Sequence, residues 1–414
     1  MPLGKMLALS AAARSSSASA SGMHDRDSSL VPPPTPSNTV RSASLPGVGA
    51  PRAAVGVSTI PNVGKGGENQ DSFVASTNQS GSKCLVGVFD GHGEKGARIS
   101  QLAKSSIARG LFTHKELHSD PVCALEGAYS ETQRHIERQY GSEALHSGTT
   151  AVAAYQHRDR LIVANVGDSR AVLGRCETSN EVLTGGSSLR AIELSSDQRP
   201  GRADERRRIT QAGGVVQQSA FPVRQSIGGP SRLVRVGPER VWDRSGCYGL
   251  GVARSLGDLA MHPFVTANPE LHDRQIDPKD KVLILGTDGV WDRLRSQEAV
   301  DIAARHQDPT AAAREITDVA KRRWHQETQG QVSDDITAVV VRLEYETGAR
   351  SGTNGTADAG KFASAQRNRP GTGASDAGRE RLGAWRPGSV PGSRQGGSQR
   401  RSRKAPLHNW KGGE

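Results

Sequence analysis

The sequence predicts a layered α+β domain, and three observations support this class. Six short runs rich in valine, isoleucine and leucine are each bounded by glycine or a charged turn, which is typical of strands. Helical periodicity occurs in two separate pairs of segments, so the order is strands, two helices, strands, two helices, strands. Several strand pairs have short connections and are therefore predicted to be antiparallel, which favours an α+β domain over a doubly wound parallel sheet.

The predicted strands are almost continuously apolar. This character indicates strands covered on both faces, either by helices on a sheet or by a second packed sheet. Residues 151–155 and 161–166 are close enough in sequence to form an antiparallel pair. The six strands are 85–89 (LVGVF), 151–155 (AVAAY), 161–166 (LIVANV), 171–174 (AVLG), 282–286 (VLILG) and 338–343 (AVVVRL).

Four amphipathic helices are predicted, in two pairs. In the second pair, Ser296 is placed as the N-cap of one helix, and Asp308 followed by Pro309 opens the other. The first pair has one buried stripe per helix. These stripes are formed by Ile99, Leu102, Ala103, Ile107 and Leu111, and by Val122, Leu125, Tyr129, Ile136 and Tyr140.

The composition divides the chain into three parts. Residues 1–54 are rich in serine, alanine and proline, and residues 348–414 are rich in glycine, serine and arginine. Both compositions offer too little apolar surface to offset the entropy of ordering, so they predict a disordered leader and a disordered basic tail around a folded part at 55–347. Within that part, 175–246 is polar and glycine-rich and predicts a functional loop or lid. Its Arg202–Arg208 cluster is predicted to be a solvated helix face, with a contact to an acidic ligand as the alternative.

The basic charge belongs to the two ends. The chain has a formal net charge of +11, but residues 55–347 are close to neutral. The charge therefore indicates a tail that contacts an anionic partner, such as RNA, a membrane surface or an acidic protein, or that only aids solubility. The stretch QRRSRK is a candidate nuclear import signal.

Cysteine spacing, hydropathy and the N-terminal composition bear on the cellular compartment of the protein. Four widely spaced cysteines without a CxxC pair favour thiols in a reducing compartment over a disulfide framework or a zinc site. No apolar run approaches the ~18 residues that a membrane-spanning helix requires. We predict a cytoplasmic or nuclear protein, with a monomer as the default. The serine-rich N-terminus leaves an organelle transit peptide as the less favoured alternative.

Aspartates recur at the ends of the predicted strands. Each Asp-Gly or Gly-Asp pair by itself is more typical of a turn than of a ligand. Strand ends of one sheet system can converge, however, and gathered carboxylates repel one another unless a cation neutralises them. Oxygen ligands select hard ions, so Mg²⁺ or Mn²⁺ is expected ahead of Zn²⁺. The six aspartates are Asp71, Asp90, Asp168, Asp288, Asp334 and Asp335, and Asp292 follows four residues after Asp288.

His92 has a candidate role beside this group. It lies two residues after Asp90 on a glycine-flanked turn, which allows close approach of the backbone to a ligand. An imidazole can hold or deliver a proton near neutral pH. Two hard metals, a bridging water and a nearby proton donor suit the hydrolysis of a phosphate ester.

Seven motifs occur in the order and with the approximate spacing of a known family. They are ENQDSF, VFDGHGEKGA, SGTTAVAA, ANVGDSRAVL, GLGVARSLGD, ILGTDGVWD and SDDITAVVV. On these motifs the sequence resembles the metal-dependent type 2C serine/threonine protein phosphatases, including plant and protist members, across about residues 55–346. The resemblance implies a four-layer α-β-β-α sandwich with two central antiparallel sheets flanked by helix pairs. It also implies a signalling enzyme that removes phosphate from phosphoserine and phosphothreonine in protein substrates.

The resemblance further implies a centre of two Mn²⁺ or Mg²⁺ ions. In the matching positions, Asp90 bridges both ions and is part of the catalytic centre, and Gly91 lends its carbonyl to one ion. Asp288 and Asp334 hold the other ion. The attacking group is a water that bridges the two metals.

Other matching positions imply supporting roles. His92 corresponds to the general acid, and Asp71 corresponds to an acidic residue that supports the metal shell. A third, weaker metal position would involve Asp168 and Asp292, with Asp288 nearby. Residues 175–246 correspond to the variable flap, which is associated with substrate choice.

The sequence departs from the family pattern at two places. Gln70 replaces a glutamate beside Asp71; it can still accept a hydrogen bond from a metal-bound water but brings no charge. The arginine that clamps substrate phosphate in many members is missing at the aligned Gly66, and Lys65 is the candidate substitute, although lysine lacks the bidentate fork of arginine. The motifs that contain Ser147 and Asp258 are interpreted as core-structural.

Two alternatives remain at this point. A pseudophosphatase would keep the fold and bind a phosphoprotein or a kinase without catalysis, as the two departures suggest. A nucleic-acid-associated protein would work through the basic tail, in which Trp385 and Trp410 lie among arginines.

Overall fold

The computed structural model describes residues 50–65, 67–78, 83–177, 188–224 and 231–345. The predicted tail and nearly all of the predicted leader lie outside these residues, as does Gly66. The first strand begins at Arg52. This strand thus begins three residues before the predicted boundary at residue 55.

The described part of the chain contains strands and helices in the predicted alternation, with additional strands of two to twelve residues. The strands are β1 (Arg52–Ile60), β2 (Asp71–Thr77), β3 (Lys83–His92), β4 (Gly148–Thr149), β5 (Ala151–His157), β6 (Arg160–Val166), β7 (Arg170–Arg175), β8 (Arg190–Glu193), β9 (Val215–Arg224), β10 (Ser231–Trp242), β11 (Gly249–Leu250), β12 (Leu256–Gly257), β13 (Glu270–Gln275), β14 (Asp280–Gly286) and β15 (Ile336–Glu344). The helices are α1 (Gly96–Thr113), α2 (Pro121–Tyr140), α3 (Ala203–Gln211), α4 (Asp288–Trp291), α5 (Ser296–Arg305) and α6 (Pro309–Thr328).

Two antiparallel sheets form the centre of the domain. One has five strands in the order β1–β15–β14–β7–β8. The other has seven strands, in the order β12–β4–β3–β5–β6–β13 with β2 paired to β3. β5 and β6 form the antiparallel pair that the sequence predicted. A third, three-stranded sheet has the order β11–β10–β9.

Alternate residues of the central strands face different layers, because successive side chains of a strand point to opposite faces. Val86 and Val88 of β3 pack with Leu283 and Leu285 of β14 in a core between the two sheets. The intervening residues of β3 and β5 face α1 and α2 in a second core. A third core joins β14 and β15 to α5 and α6. The four-layer α-β-β-α sandwich is therefore confirmed, and its buried strands explain the continuous apolar runs in the sequence.

The prediction of a loop over residues 175–246 was wrong. This region contains β8, α3 and the long antiparallel pair β9 and β10. These elements bury few side chains: Phe221 is 52% exposed and Leu233 is 68% exposed. Apolar periodicity arises from burial, so exposed strands leave no such pattern in the sequence. The predicted helix face at Arg202–Arg208 does lie on and next to a helix, α3.

The two late helix starts differ in their capping. Asp308 caps α6 as predicted, because its carboxylate accepts hydrogen bonds from the backbone N–H groups of Thr310 and Ala311 at 3.0 and 3.2 Å. Ser296 is not the cap of α5 but its first helical residue, and its hydroxyl donates to Glu193 at 2.7 Å. No helix among the described residues combines the length and the apolar character needed to cross a bilayer.

Gly56 lets β1 approach the start of α6 closely. A Cβ atom at this position would lie 2.1 Å from the backbone of Pro309 and 2.1 Å from that of Thr310. We expect Gly56→Ala to lower the free energy of unfolding by about 2 kcal/mol, within the range for overpacked cores. Urea unfolding measures this change. Gly251→Ala is the control, because a Cβ there would lie more than 4 Å from every described residue other than its two chain neighbours. Equal midpoints for the two variants would contradict the prediction.

Candidate metal centre

The seven-stranded sheet brings two aspartates directly opposite each other. Asp71 begins β2, Asp90 lies near the end of β3, and the two are paired in the antiparallel register. The backbone of Asp90 is held by Thr150, whose hydroxyl accepts from Asp90 N–H at 3.1 Å and whose own N–H donates to Asp90 O at 2.9 Å. Like charges directly opposite on a sheet are destabilising. This pair therefore calls for a neutralising group.

The five-stranded sheet ends at the same region. The last residue of β14, Gly286, is paired both with Ala338 of β15 and with Arg170 of β7. Because these strands are antiparallel, the residues just after β14 lie beside those just before β15 and β7. Asp288, Asp334 and Asp168 occupy these three places.

A threonine joins the two sheets at this edge. The hydroxyl of Thr287 donates to Asp71 Oδ2 at 3.0 Å and accepts the backbone N–H of Thr337 at 3.1 Å. Asp168 lies in the three-residue turn that carries the chain from β6 in one sheet to β7 in the other. The structure thus brings the predicted strand-end carboxylates together.

The charges of these carboxylates act on one another. Burial raises the pKa of Asp90 well above its ordinary value, and the negative charges of Asp288, Asp71 and Asp334 raise it further. Burial and the neighbouring Asp168 likewise raise the pKa of Asp288. Burial raises the pKa of Asp71 to about 7, although hydrogen bonds from Thr337 and Thr287 oppose this shift. The ionised forms of these groups are destabilised without a cation.

Two carboxylate oxygens at this centre are buried without a hydrogen-bond partner among the described residues. They are Oδ1 of Asp71 and Oδ1 of Asp288. Unpaired buried carboxylate oxygens are costly, and oxygen ligands are what Mg²⁺ and Mn²⁺ prefer. The residues present therefore fit a hard divalent ion. The roles of Asp90, Gly91, Asp288 and Asp334 as ligands remain predictions.

The consecutive aspartates before β15 have different surroundings. Asp335 accepts hydrogen bonds from the backbone and the side-chain amide of Asn62 at 2.8 and 2.9 Å, and from Gln70 N–H at 3.1 Å. Asp335 therefore anchors the segment before β2. The carboxylate of Asp334 instead contacts the ammonium of Lys65. The predicted contact of Lys65 with substrate phosphate remains a prediction.

Gln70 holds the turn after β3. Its side-chain amide donates to Gly93 O at 2.9 Å, and its backbone carbonyl accepts from Gly91 N–H at 3.2 Å. Gly93 has a φ of +80°, and a Cβ there would lie 2.3 Å from His146 O. Only glycine fits this turn without displacement of its neighbours. The predicted contact of Gln70 with a metal-bound water remains a prediction.

His92 has a partner that the sequence did not indicate. Its Nε2 lies 2.7 Å from Oδ2 of Asp258, which also accepts a hydrogen bond from the hydroxyl of Ser255. Burial lowers the pKa of His92, but the charge and the hydrogen bond of Asp258 outweigh this effect and raise it overall. Asp258 is fully buried and adopts the left-handed conformation at φ +46°.

Asp258, interpreted from its motif as core-structural, is buried as that interpretation requires and in addition contacts the candidate acid His92. The two residues are 166 positions apart, so no local pattern connects them. The sequence feature that could have drawn attention to Asp258 is its place directly after a glycine in SLGD, far from any predicted strand end. A buried carboxylate of this kind needs a partner.

Asp168 and Asp292 share a cation from the chain itself. Arg199 Nη2 lies 2.8 Å from Asp292 Oδ1, and Arg199 Nε lies 3.4 Å from Asp168 Oδ2. Burial raises the pKa of Asp168 to about 6, and Arg199 opposes that shift. Sequence reasoning did not select Arg199.

A second acidic group lies on α3 and β13. Carboxylate oxygens of Asp204, Glu205 and Glu270 come within 4.8 Å of one another. Each of these carboxylates forms an ion pair with Arg202, and Arg254 also pairs with Glu205 and Glu270. The group is therefore neutralised by arginines. Arg202 and Arg208 are half-buried in these ion pairs, so the solvated helix face predicted for Arg202–Arg208 is exposed only in part.

Comparison with known proteins identifies the family. The family model described as "Protein phosphatase 2C" matches residues 65–328, which is more than half of the chain. The chain belongs to the protein phosphatase 2C family. The resemblance noted in the sequence is thereby confirmed, and this family is one of metal-dependent serine/threonine protein phosphatases.

Individual relatives agree with this assignment. "Probable protein phosphatase 2C 59" of Arabidopsis thaliana is 34% identical over 272 residues, 66% of this chain and 74% of that protein. "Probable protein phosphatase 2C 76" of the same plant is 32% identical over 272 residues, 66% of this chain and 54% of that protein. The match thus spans about half the length of the latter. The serine-threonine phosphatase 2C crystal structure from Toxoplasma gondii has a similar fold, with a TM-score of 0.55 and 22% identity over 75% of this chain and all of that chain.

Proposed function

We propose that this chain is a metal-dependent protein phosphatase that hydrolyses phosphoserine and phosphothreonine in protein substrates. The observation that carries the proposal is the convergence of buried carboxylates at the joined ends of the two sheets. Unpaired oxygens of Asp71 and Asp288 lie within that group. A pocket of this charge would repel a phosphate monoester unless cations covered it.

The centre suits two Mn²⁺ or Mg²⁺ ions. Asp90 would bridge them, Gly91 would offer its carbonyl to one, and Asp288 and Asp334 would hold the other, with Asp71 in support. When bound, the ions would activate a bridging water as the nucleophile and screen the phosphoryl oxygens. The ion count and identity are part of this proposal.

His92 would donate the proton that the leaving alkoxide requires. Its Nε2 faces Asp258 at 2.7 Å, so Nδ1 is the nitrogen that remains for this transfer. The imidazole side chain is 25% exposed, which allows contact with a substrate. Asp258 acts as a positioning residue, because its carboxylate fixes the ring and favours the protonated form.

Lys65 would contact the substrate phosphate. Its side chain is 46% exposed, and its ammonium contacts the carboxylate of Asp334. An ion held by Asp334 would neutralise that carboxylate and leave the ammonium available. Lysine offers a point charge rather than a fork, so the phosphate would be held with less orientational control than by arginine.

The test is the release of phosphate from p-nitrophenyl phosphate and from a phosphothreonine peptide. We expect activity with Mn²⁺, loss of activity in EDTA, and loss in Asp288→Ala at the same Mn²⁺ concentration. A wild-type protein that is folded and binds Mn²⁺ but releases no phosphate from either substrate would contradict the proposal. That outcome would favour a regulator with the phosphatase fold.

A further inference from the structure

Arg199 lies between two of the carboxylates that the sequence assigned to a third, weak metal position. Its guanidinium reaches Asp292 Oδ1 with Nη2 at 2.8 Å, a hydrogen bond between charged groups. Its Nε lies 3.4 Å from Asp168 Oδ2, an ion-pair distance without a hydrogen bond. One cation thus serves both carboxylates.

The backbone on the N-terminal side of Arg199 is held firmly. The side chain of Gln198 is buried; its Oε1 accepts from Gly167 N–H at 2.7 Å, and its Nε2 donates to Asn165 O at 3.0 Å. Its backbone N–H also donates to Gly167 O at 3.0 Å. These bonds tie the segment to the turn that carries Asp168. The position of Arg199 beside Asp168 is therefore built into the fold.

Further contacts restrict the same segment. Asp197 accepts two hydrogen bonds from Arg170, at 2.8 and 2.7 Å, and its Oδ2 also lies 3.9 Å from Arg199 Nε, a weaker ion pair. Pro200 follows Arg199 and disfavours the helical conformation at the residue before it. The backbone of Arg199 is thus restrained on both sides, so only its side-chain rotamers remain to be ordered when the guanidinium takes this place.

The surroundings of Asp168 and Asp292 differ from those of the main centre, which is the group of Asp71, Asp90, Asp288 and Asp334. Asp71 and Asp288 each have a buried oxygen without a hydrogen-bond partner among the described residues. No such oxygen occurs on Asp168 or Asp292 among those residues, and the buried group without a hydrogen bond beside them is the donor Nε of Arg199. The main group of carboxylates also exceeds the single ammonium of Lys65 in charge, and Lys65 is joined to it by one contact. The demand for an added cation is therefore concentrated at the main centre.

We propose that Arg199 is the resident cation of the Asp168 and Asp292 pair, so that these two residues bind no divalent ion in the wild-type protein. This inference rests on the proposed function, because it assumes two ions at the main centre. A divalent ion at the pair would have to displace a guanidinium that is held by its own segment, and the two cations would repel each other. The third position that the family resemblance implies is thus filled from within this chain.

The test counts bound Mn²⁺ per chain by electron paramagnetic resonance of the free ion, supported by calorimetric titration. We expect two ions for the wild type and three for Arg199→Gln, which keeps hydrogen-bonding capacity but removes the charge. Adding Asp168→Ala to Arg199→Gln should return the count to two. Arg199→Lys is the matched control; it keeps the positive charge and should bind two ions.

The outcomes separate this inference from the proposed function. Asp168→Ala in the wild-type background should leave the count at two, and this variant does not depend on the folding of an Arg199 variant. A wild type that binds three ions and loses one in Asp168→Ala would overturn the inference while the proposed function survives. A number of bound Mn²⁺ ions per chain that Arg199→Gln leaves unchanged would also overturn the inference and leave the proposed function intact. A wild type that binds no Mn²⁺ would overturn the proposed function itself.

Discussion

Replacement of Asp288 by asparagine is expected to have opposite effects on activity and on stability. Mn²⁺-dependent turnover should fall by more than about a hundredfold, because loss of a supporting residue behind a metal ligand alone costs about 10- to 100-fold. In EDTA, the same variant should unfold at a higher temperature than the wild type. The reason is that Oδ1 of Asp288 is buried without a partner, and burial and the neighbouring carboxylates raise its pKa.

The gain in stability should depend on pH in a defined direction. The folded-state pKa of Asp288 is raised above its ordinary value, so at low pH both the folded and the unfolded chain hold the proton and the group has no effect. As the pH rises, the unfolded chain loses this proton first, and the wild type loses stability. The advantage of the variant should therefore be absent below the ordinary aspartate pKa, grow as the pH rises above it, and reach about 1–3 kcal/mol, the scale for an unsatisfied buried group.

Thermal unfolding in EDTA at several pH values measures the gain in stability. A phosphate-release assay with Mn²⁺ measures the loss of turnover. Asp273→Asn is the matched control, because Asp273 pairs with Arg160 at 2.7 Å outside the centre. This control should leave activity unchanged and should not raise the melting temperature. A lower melting temperature for Asp288→Asn than for the wild type in EDTA at neutral pH would contradict the electrostatic account of the centre.

Replacement of His92 by alanine is expected to slow the reaction in proportion to the difficulty of the leaving group. General acid catalysis contributes about 10²- to 10⁴-fold when the leaving oxygen needs a proton. A phosphothreonine peptide has such a leaving group, whereas p-nitrophenolate departs without help. Turnover should therefore fall by about that factor on the peptide and by much less on p-nitrophenyl phosphate. Equal losses on the two substrates would refute the role of His92 as the acid.

Asp258→Asn should give the same pattern with a smaller loss. The amide can still contact the ring of His92 but does not stabilise its positive charge. A purely structural role for Asp258 would instead lower turnover on both substrates alike, so the ratio of the two rates distinguishes the roles. His118→Ala is the control, because His118 is exposed and should leave both rates unchanged.

Local sequence patterns predicted much of the fold and located the aspartates that the candidate centre contains. The runs at 85–89 and 282–286 are strands because their side chains are buried on both faces, and burial is what makes a strand recognisable in a sequence. The aspartates that follow or precede such strands were found for the same reason. Where burial is slight, as in β9 and β10, the pattern disappeared and the strands were missed.

The sequence by itself determined which residue types stand at the strand ends and how the helices and buried strands alternate. Tertiary structure decided which of those residues share a partner. His92 meets Asp258 across 166 positions, and Arg199 meets Asp292 across 93. Such pairs depend on how two sheets and their connecting segments are packed together, and a carboxylate in a sequence looks the same whether a metal ion, a histidine or an arginine will neutralise it.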